Sequence, residues 1–187
     1  MPILPPENAK KAWNGSLLHA WSWEQALFDG TTSTFECVIR QDTVCVIPFL
    51  DNETVLLTKQ EQPHRTPFLD FPGGRVDPGE DFETAAQREL KEETGYDAKN
   101  LSEWRTLRHN GLVRFEERLY IATKLSEKSE THLDPGERIE TTPISWKEAV
   151  ELSLAGKLRQ TNVMLAILQM TFDPASRARL DGILKAG

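Results

Sequence analysis

The most constraining feature of the sequence is a fixed pattern of glycines and charged residues between positions 74 and 96. A loop rich in glycine and proline ends at Asp81, whose carboxylate suits the cap position before a helix because it can accept bonds from free backbone N–H groups. The next thirteen residues contain no glycine or proline and include many strong helix formers. Gly95 then suits the left-handed residue that ends a helix. The pattern predicts a helix over residues 82–94.

Three glutamates share one face of this predicted helix. At about 100° per residue, Glu89, Glu92 and Glu93 fall within an arc of about 100°, while Leu90 lies on a neighbouring stripe that we expect to face the core. Glu89 and Glu93 are a like-charge pair that costs an isolated helix roughly 0.2–0.5 kcal/mol. Hard divalent cations prefer carboxylate oxygens, and Mg²⁺ also recruits substrate phosphates. The face is therefore a candidate site for Mg²⁺ or Mn²⁺ and a pyrophosphate.

The whole pattern resembles the signature of the Nudix hydrolases, G-x5-E-x7-R-E-apolar-x-E-E-x-G-apolar, and no position is missed. Seven positions demand one residue type each, so a chance match anywhere in the chain is on the order of 10⁻⁶. The resemblance implies that metal is bound by the carbonyl of Gly73 and by Glu89, Glu92 and Glu93. It implies structural roles for Gly74, Glu80, Arg88 and Gly95, with Glu80 paired to Arg88.

Length and composition indicate one soluble globular domain with a small appended element. The chain has 187 residues, of which 39% are hydrophobic and 27% charged, which excludes a disordered protein. The longest apolar run, residues 44–50, is too short to span a bilayer, and the N-terminus lacks the pattern of a secretory signal. We therefore expect no membrane association.

The net charge and the cysteines indicate where the protein is located and which class of partner it does not bind. The net charge of −7 and the absence of a basic stripe argue against a nucleic-acid polymer as partner. Cys37 and Cys45 lie in apolar, strand-like segments without the spacing of a disulfide framework or a zinc site. We expect two buried thiols and a cytoplasmic protein.

Hydrophobic periodicity predicts an α/β fold. Strands are expected within residues 17–28, 34–40, 43–50, 54–60, 68–71, 101–108, 114–124 and 137–145, and further helices within 146–155, 161–170 and 174–184. Asp29-Gly30 is a strong signal for a hairpin turn. The simplest arrangement is a mixed β-sheet between helices, which matches the Nudix fold. Residues 1–40 form a small N-terminal β-hairpin subdomain in this interpretation, and residues 41–187 the Nudix domain.

Residues 43–95 and 117–170 resemble the ADP-ribose pyrophosphatase branch of the family. That resemblance implies a homodimer whose N-terminal strands contact the substrate, and cleavage of ADP-ribose to AMP and ribose 5-phosphate. Gln62 stands where the branch commonly has a phosphate-binding arginine. Arg65 is the candidate replacement, with a solvated loop residue as the alternative. NDP-sugars and other nucleoside diphosphate derivatives therefore remain alternative substrates.

Tryptophans near the N-terminus are candidates for stacking a purine, because an aromatic face binds any base. Trp13, Trp21 and Trp23 are available, and we single out Trp21 and Trp23 as substrate-binding residues. A buried structural role is the alternative for each. Trp104 and Trp146 are expected in the core.

Hydrolysis needs a proton acceptor beside the attacking water, and glutamates bound to metal are poor acceptors. The branch is similar in supplying this general base from a loop after the signature helix. Glu137 best matches the loop-to-strand junction, and Glu93 is the other residue assigned to catalysis. The remaining candidates for the base are Glu127 and Glu130 on the loop and Glu116 and Glu117 on the preceding strand.

Two other functional classes share the fold. A catalytically silent ligand sensor tends to lose a metal-binding glutamate, whereas this chain retains all of them. A prenyl diphosphate isomerase would need a placed cysteine, and both cysteines lie outside the signature. A Mg²⁺-dependent pyrophosphohydrolase is the function that the sequence favours.

Overall fold

Nine strands and four helices build the part of the chain that the computed structural model describes, residues 4–63, 65–126, 128–133 and 135–186. The strands are β1 (Lys10–Asn14), β2 (Leu18–Ala26), β3 (Thr32–Arg40), β4 (Thr43–Pro48), β5 (Thr54–Glu61), β6 (Phe68–Asp70), β7 (Ala98–Asn110), β8 (Val113–Leu125) and β9 (Arg138–Ser145). The helices are α1 (Phe82–Thr94), α2 (Trp146–Leu154), α3 (Thr161–Phe172) and α4 (Pro174–Ala186). Within these ranges no helix is long and apolar enough to cross a membrane.

The strands form two sheets rather than one. The larger sheet is mixed, with the order β1-β2-β3-β8-β4 and β7 on the other side of β8. Both β3 and β4 run parallel to β8, one after the other along the same edge, and the remaining pairs are antiparallel. The smaller sheet is antiparallel, with the order β6-β5-β9. The predicted mixed sheet is confirmed, and the separate three-stranded sheet was not anticipated.

Strands β4 and β8 form the central layer of the domain. Cys45 and Ile47 of β4 face the smaller sheet and helices α2–α4, whereas Val44 and Val46 face α1. Alternate residues of β8 divide in the same way. A strand in a parallel pair that is covered on both faces reads as a continuous apolar run, and β4 was predicted on that basis. The expected layering of helices on both sides of a mixed sheet is confirmed.

The signature helix begins and ends where the sequence predicts. Asp81 accepts a hydrogen bond from the backbone N–H of Thr84 at 2.9 Å, and Gly95 has the left-handed φ of 80°. The N–H of Gly95 donates a hydrogen bond to the carbonyl of Lys91 at 2.8 Å, which ends the helix. Leu90 is fully buried against Val44 and Val46, so the apolar stripe holds α1 on the sheet and leaves the glutamates on its flank.

The first three strands form an antiparallel arm at the edge of the mixed sheet. The turn at Asp29-Gly30 joins β2 to β3, as predicted. Strand β1 was missed, because all five of its residues are exposed and carry no alternating pattern. Only residues 38–39 of β3 pair with β8, so the arm has a narrow junction with the body. The arm is three-stranded where a hairpin was expected, and its last strand ends at Arg40, the predicted domain boundary.

Candidate active site

The loop before α1 runs along β4 and turns one carbonyl toward the glutamates. Val46 donates its N–H to the carbonyl of Pro72 at 2.8 Å, and Val44 donates to Gly74 at 2.9 Å. Gly73 lies between them and donates its own N–H to Oε2 of Glu93 at 3.2 Å. Because the N–H and C=O of one residue in an extended chain point to the same side, the Gly73 carbonyl also faces the glutamates. This is the orientation that the predicted metal-binding role requires.

Both glycines of this loop are needed for close approach. A Cβ added to Gly73 would overlap the backbone of Val44 and Cys45. A Cβ added to Gly74 would overlap the carboxylate of Glu89. The absence of side chains therefore lets the loop lie directly against β4 on one side and against Glu89 on the other.

Arg88 uses all five of its N–H groups inside the signature. It forms a two-pronged ion pair with Glu80, with both distances 2.9 Å, and donates to the carbonyl of Arg75 at 2.9 Å. The other terminal nitrogen contacts Glu89 at 2.9 Å and Glu92 at 3.1 Å. The bond from Arg88 holds the pKa of Glu80 below its ordinary value, and the carboxylates raise the pKa of Arg88. The structure thus brings together the pair for which the sequence predicts a structural role.

Burial sets the electrostatics of the remaining carboxylates. Glu93 is only 5% exposed, and burial, followed by the charge of Glu89, raises its pKa well above the ordinary value. Burial likewise raises the pKa of Glu89 to about 7, although Arg88 opposes the shift. Glu92 is half-buried and contacts Arg88. The face lacks enough positive charge to keep both buried carboxylates ionised.

A hard divalent cation fits this donor set. The buried carboxylate of Glu93 and the half-buried carboxylate of Glu89 would both gain from a nearby positive charge, and they face a backbone carbonyl. This is the all-oxygen environment that Mg²⁺ and Mn²⁺ prefer. In the described part of the chain, no three acidic, histidine or cysteine side chains already converge around one point. Glu89 and Glu92 each bind Arg88 through one oxygen, so binding of a cation would use their other oxygens or move Arg88.

The loop between β8 and β9 crosses the end of α1 and brings a further glutamate to this face. Ser129 and His132 donate their N–H groups to the carbonyls of Gly95, at 2.8 Å, and Glu92, at 3.0 Å. Glu137, at the end of the loop, accepts a hydrogen bond from Nε2 of Gln62 at 3.3 Å. Its charge contributes to the raised pKa of both Glu89 and Glu93. The structure therefore places Glu137 on the side of the site where its charge acts on Glu89 and Glu93.

The other candidates for the general base are placed less favourably. Glu116 forms ion pairs with Arg108 at 2.7 Å and Arg118 at 2.6 Å, and Glu117 contacts His109 at 3.2 Å. Glu130 is exposed and is not among the largest causes of the raised pKa of Glu89 or Glu93. Glu127 lies outside the described residues.

The described contacts of the two proposed substrate-binding tryptophans, Trp21 and Trp23, do not include the glutamates of the same chain. Trp23 is buried, donates Nε1–H to Gln25 at 3.2 Å and has Arg114 over its ring, which fits the structural alternative. Trp21 is half-buried, and its Nε1 has no partner among the described residues. Arg65 is exposed in the loop after β5.

Several polar residues beneath the site were missed. Asp70 is buried, accepts a hydrogen bond from Gln160 at 3.1 Å, and has a pKa that burial raises to about 6. Thr58 and Gln60 are also buried, and Gln60 contacts Glu93. The signal that could have found them is the pair of polar residues two apart on the inward face of an apolar strand.

Two arginines near the site were also missed. The guanidinium of Arg40 lies over Phe115 at 4.3 Å, and that of Arg159 lies over Phe68 at 4.7 Å. Burial, with the nearby charge of Arg159 as a smaller cause, lowers the pKa of Arg40. The two stacked arginines bring positive charge to the border of a strongly acidic site.

Comparison with known proteins agrees with the geometry. The model of the NUDIX domain family matches residues 39–164. An ADP-ribose pyrophosphatase of Bacillus subtilis is 25% identical over 173 residues, which cover 91% of this chain and 94% of that protein. The ADP-sugar pyrophosphatase of Mus musculus is 48% identical over 60 residues, 29% of this chain and 28% of its own length.

The fold has a close counterpart among solved structures. A crystal structure of an ADP compounds hydrolase superposes with a TM-score of 0.76 and covers 95% of this chain and 94% of its own, at 21% identity. That likeness establishes the fold, and the family match spans the signature, the Gly73 carbonyl and the loop that carries Glu137. The chain therefore belongs to the Nudix family, and it is a hydrolase of the kind that cleaves pyrophosphates.

Proposed function

We propose that this hydrolase cleaves ADP-ribose to AMP and ribose 5-phosphate and that it requires Mg²⁺, with Mn²⁺ as a substitute. The observation that carries the proposal is the pair of carboxylates opposite the Gly73 carbonyl, of which Glu93 is buried and Glu89 is half-buried. The similarity to an ADP-ribose pyrophosphatase over nearly the whole of both chains supports the choice of substrate.

The residues of the chain divide the chemical work. Glu89, Glu92, Glu93 and the carbonyl of Gly73 would hold the cation, which supplies charge neutralisation at the pyrophosphate and a more acidic water. Glu137 accepts the proton of the attacking water in this proposal, because its charge acts on Glu89 and Glu93 and it is bonded to Gln62 rather than to Arg88. Arg88 binds Glu80 and stabilises the loop instead of contacting substrate.

An NDP-sugar is the alternative substrate class. The similarity over 60 residues to a mouse ADP-sugar pyrophosphatase supports it, as does the glutamine at position 62. Arg40, Arg65 and Arg159 are candidate cations for the phosphates, and a purine would be stacked by Trp21. AMP release from ADP-ribose compared with ADP-glucose, at equal Mg²⁺, distinguishes the two classes.

The protein acts as a homodimer in this proposal, with the arm of one chain completing the site of the other. The arm has a narrow junction with its own body, and it exposes large apolar side chains, including Trp13 at 56% and Phe35 at 44%. The unpartnered Nε1 of Trp21 belongs to the same arm. Two buried free thiols, Cys37 and Cys45, suit the reducing cytoplasm that we propose as its location.

Metal-free protein should lose stability as the pH rises from about 5 to 8. The pKa of Glu89 is raised from 4.5 to about 7, so its stabilising contribution is complete below pH 4.5 and is lost as the pH rises through 7. The shift corresponds to about 3 kcal/mol. The midpoint temperature of thermal unfolding of the wild type should therefore fall relative to that of Glu89→Gln across this pH range. At pH 8, saturating Mg²⁺ should make the wild type the more stable of the two proteins. If the unfolding temperatures of the two proteins differ by the same amount at every pH, the raised pKa of Glu89 is contradicted.

Replacing Glu93 by Gln should reduce turnover of ADP-ribose at saturating Mg²⁺ by at least about 10³, because a charged metal ligand is lost. Folding should be unchanged or slightly more stable, since a buried carboxylate beside Glu89 is removed. The control is Glu83→Gln, an exposed glutamate at the start of the same helix, which should keep wild-type turnover. Near-normal activity of Glu93→Gln would refute the metal site.

Replacing Glu137 by Gln should lower turnover by about 10²–10⁴ while Mn²⁺ affinity stays close to that of the wild type, as expected for a general base. The comparison is Glu130→Gln, measured from pH 6 to 9 under the same conditions. If Glu130→Gln loses activity and Glu137→Gln does not, the proton acceptor is Glu130.

Mixing two inactive variants tests the exchange of arms. Light scattering should give two chains per particle, and Trp21→Ala should lose affinity for substrate. When Glu93→Gln and Trp21→Ala chains are mixed and allowed to exchange, one intact site should form in each mixed dimer and activity should reappear. If activity does not reappear in confirmed mixed dimers, or if the protein is a fully active monomer, each arm contributes to the site of its own chain.

A further inference from the structure

We propose that Thr58 and Gln60 are positioning residues that set the orientation of the Glu93 carboxylate and thereby the affinity of the site for its divalent cation. This inference rests on the proposed function, because it assigns the metal-binding role to Glu93. It adds a second layer of residues, on β5, to a site otherwise built from α1 and two loops.

The two residues form a buried chain of hydrogen bonds under the site. Thr58 is fully buried and Gln60 is 6% exposed, and both face inward on β5. Nε2 of Gln60 donates to Oγ1 of Thr58 at 3.2 Å and to Oε2 of Glu93 at 3.4 Å. One amide nitrogen with two hydrogens therefore connects a strand hydroxyl to the carboxylate.

The hydroxyl of Thr58 determines which end of the Gln60 amide faces Glu93. Thr58 donates its single hydroxyl hydrogen to the carbonyl of Asp70 at 2.8 Å, so toward Gln60 its oxygen can only accept. The amide nitrogen of Gln60 must then point inward. With Glu93 ionised, as cation binding requires, a flipped amide would place its oxygen against both the Thr58 oxygen and the Glu93 carboxylate, where no hydrogen is available.

The consequence for Glu93 is that its two oxygens differ. Oε2 receives the N–H of Gly73 at 3.2 Å and the amide of Gln60 at 3.4 Å. Among the described residues, none donates a hydrogen bond to Oε1. Neutral donors on one oxygen hold the carboxylate in place and do not neutralise its negative charge. The other oxygen can then bind a cation. Outer-layer hydrogen bonds of this kind orient metal-binding side chains in proteins generally.

A role in packing and a role in positioning Glu93 make opposite predictions for two variants of Thr58. Thr58→Val keeps the shape and removes the hydroxyl, so a packing role predicts that it is tolerated. Thr58→Ser keeps the hydroxyl and removes a buried methyl, so a packing role predicts that it is the more damaging change. A positioning role predicts the reverse order in metal affinity.

The experiment measures Mn²⁺ binding to the full-length, metal-free protein by electron paramagnetic resonance, without substrate. We expect Thr58→Ser to bind Mn²⁺ within about twofold of the wild type, and Thr58→Val and Gln60→Met to bind about tenfold or more weakly. Gln87→Met is the matched control, because Gln87 lies on α1 but donates to Asp97 and Ala98 instead of a glutamate of the site. It should bind Mn²⁺ like the wild type.

Two different failures can be separated by including Glu93→Gln. If Glu93→Gln binds Mn²⁺ as tightly as the wild type, the metal site is wrong, and the positioning role falls with it. If binding depends on Glu93 but Thr58→Val equals Thr58→Ser, or Gln60→Met equals the wild type, the positioning role alone is overturned. Thermal unfolding of each variant shows whether any loss of Mn²⁺ affinity follows stability instead of the hydroxyl.

Discussion

The cost of burying like-charged carboxylates side by side is the constraint on which the site depends. Glu89 and Glu93 both lose solvent, and Arg88 is the one arginine bonded to either of them in the described structure. That guanidinium is already shared with Glu80 and Glu92, so it does not neutralise the pair. The apolar contacts of Leu90 and the sheet hold α1 in place despite this repulsion. In the proposed function, the affinity for a cation therefore comes from the fold, which maintains an arrangement that is unfavourable without one.

The site combines parts of different rigidity. Gly73, Glu89 and Glu93 are fixed by β4, by α1 and by a buried amide, whereas Glu137 lies on the loop between β8 and β9. Groups that hold a cation need constant geometry, and a group that moves a proton needs to approach a water that arrives with the substrate. A fixed set of groups for the cation and a separate loop for the proton acceptor suit a hydrolase whose substrate is a large pyrophosphate.

The success of the sequence analysis follows the range of the interactions. The limits of α1, its cap at Asp81 and its end at Gly95 depend on residues within a few positions, and all were predicted. The strand β1 and the separate sheet around β5 depend on pairing between distant segments, which local patterns do not encode. The same reason explains why the contact between Gln60 and Glu93, 33 positions apart, was missed. Glu137 was predicted from the resemblance of the junction of loop and strand to the family, not from its neighbours in space, and its catalytic role stays a prediction.

The loop that carries Glu137 is attached to α1 through main-chain atoms. The N–H groups of Ser129 and His132 bond to carbonyls at the end of the helix, and these donors are present whatever side chains occupy the two positions, proline excepted. Mutation can therefore change the charge, bulk and length of the rest of the loop while its attachment is inherited unchanged. Such a loop can change to suit a new leaving group over evolutionary time without disturbing the helix to which we assign the metal.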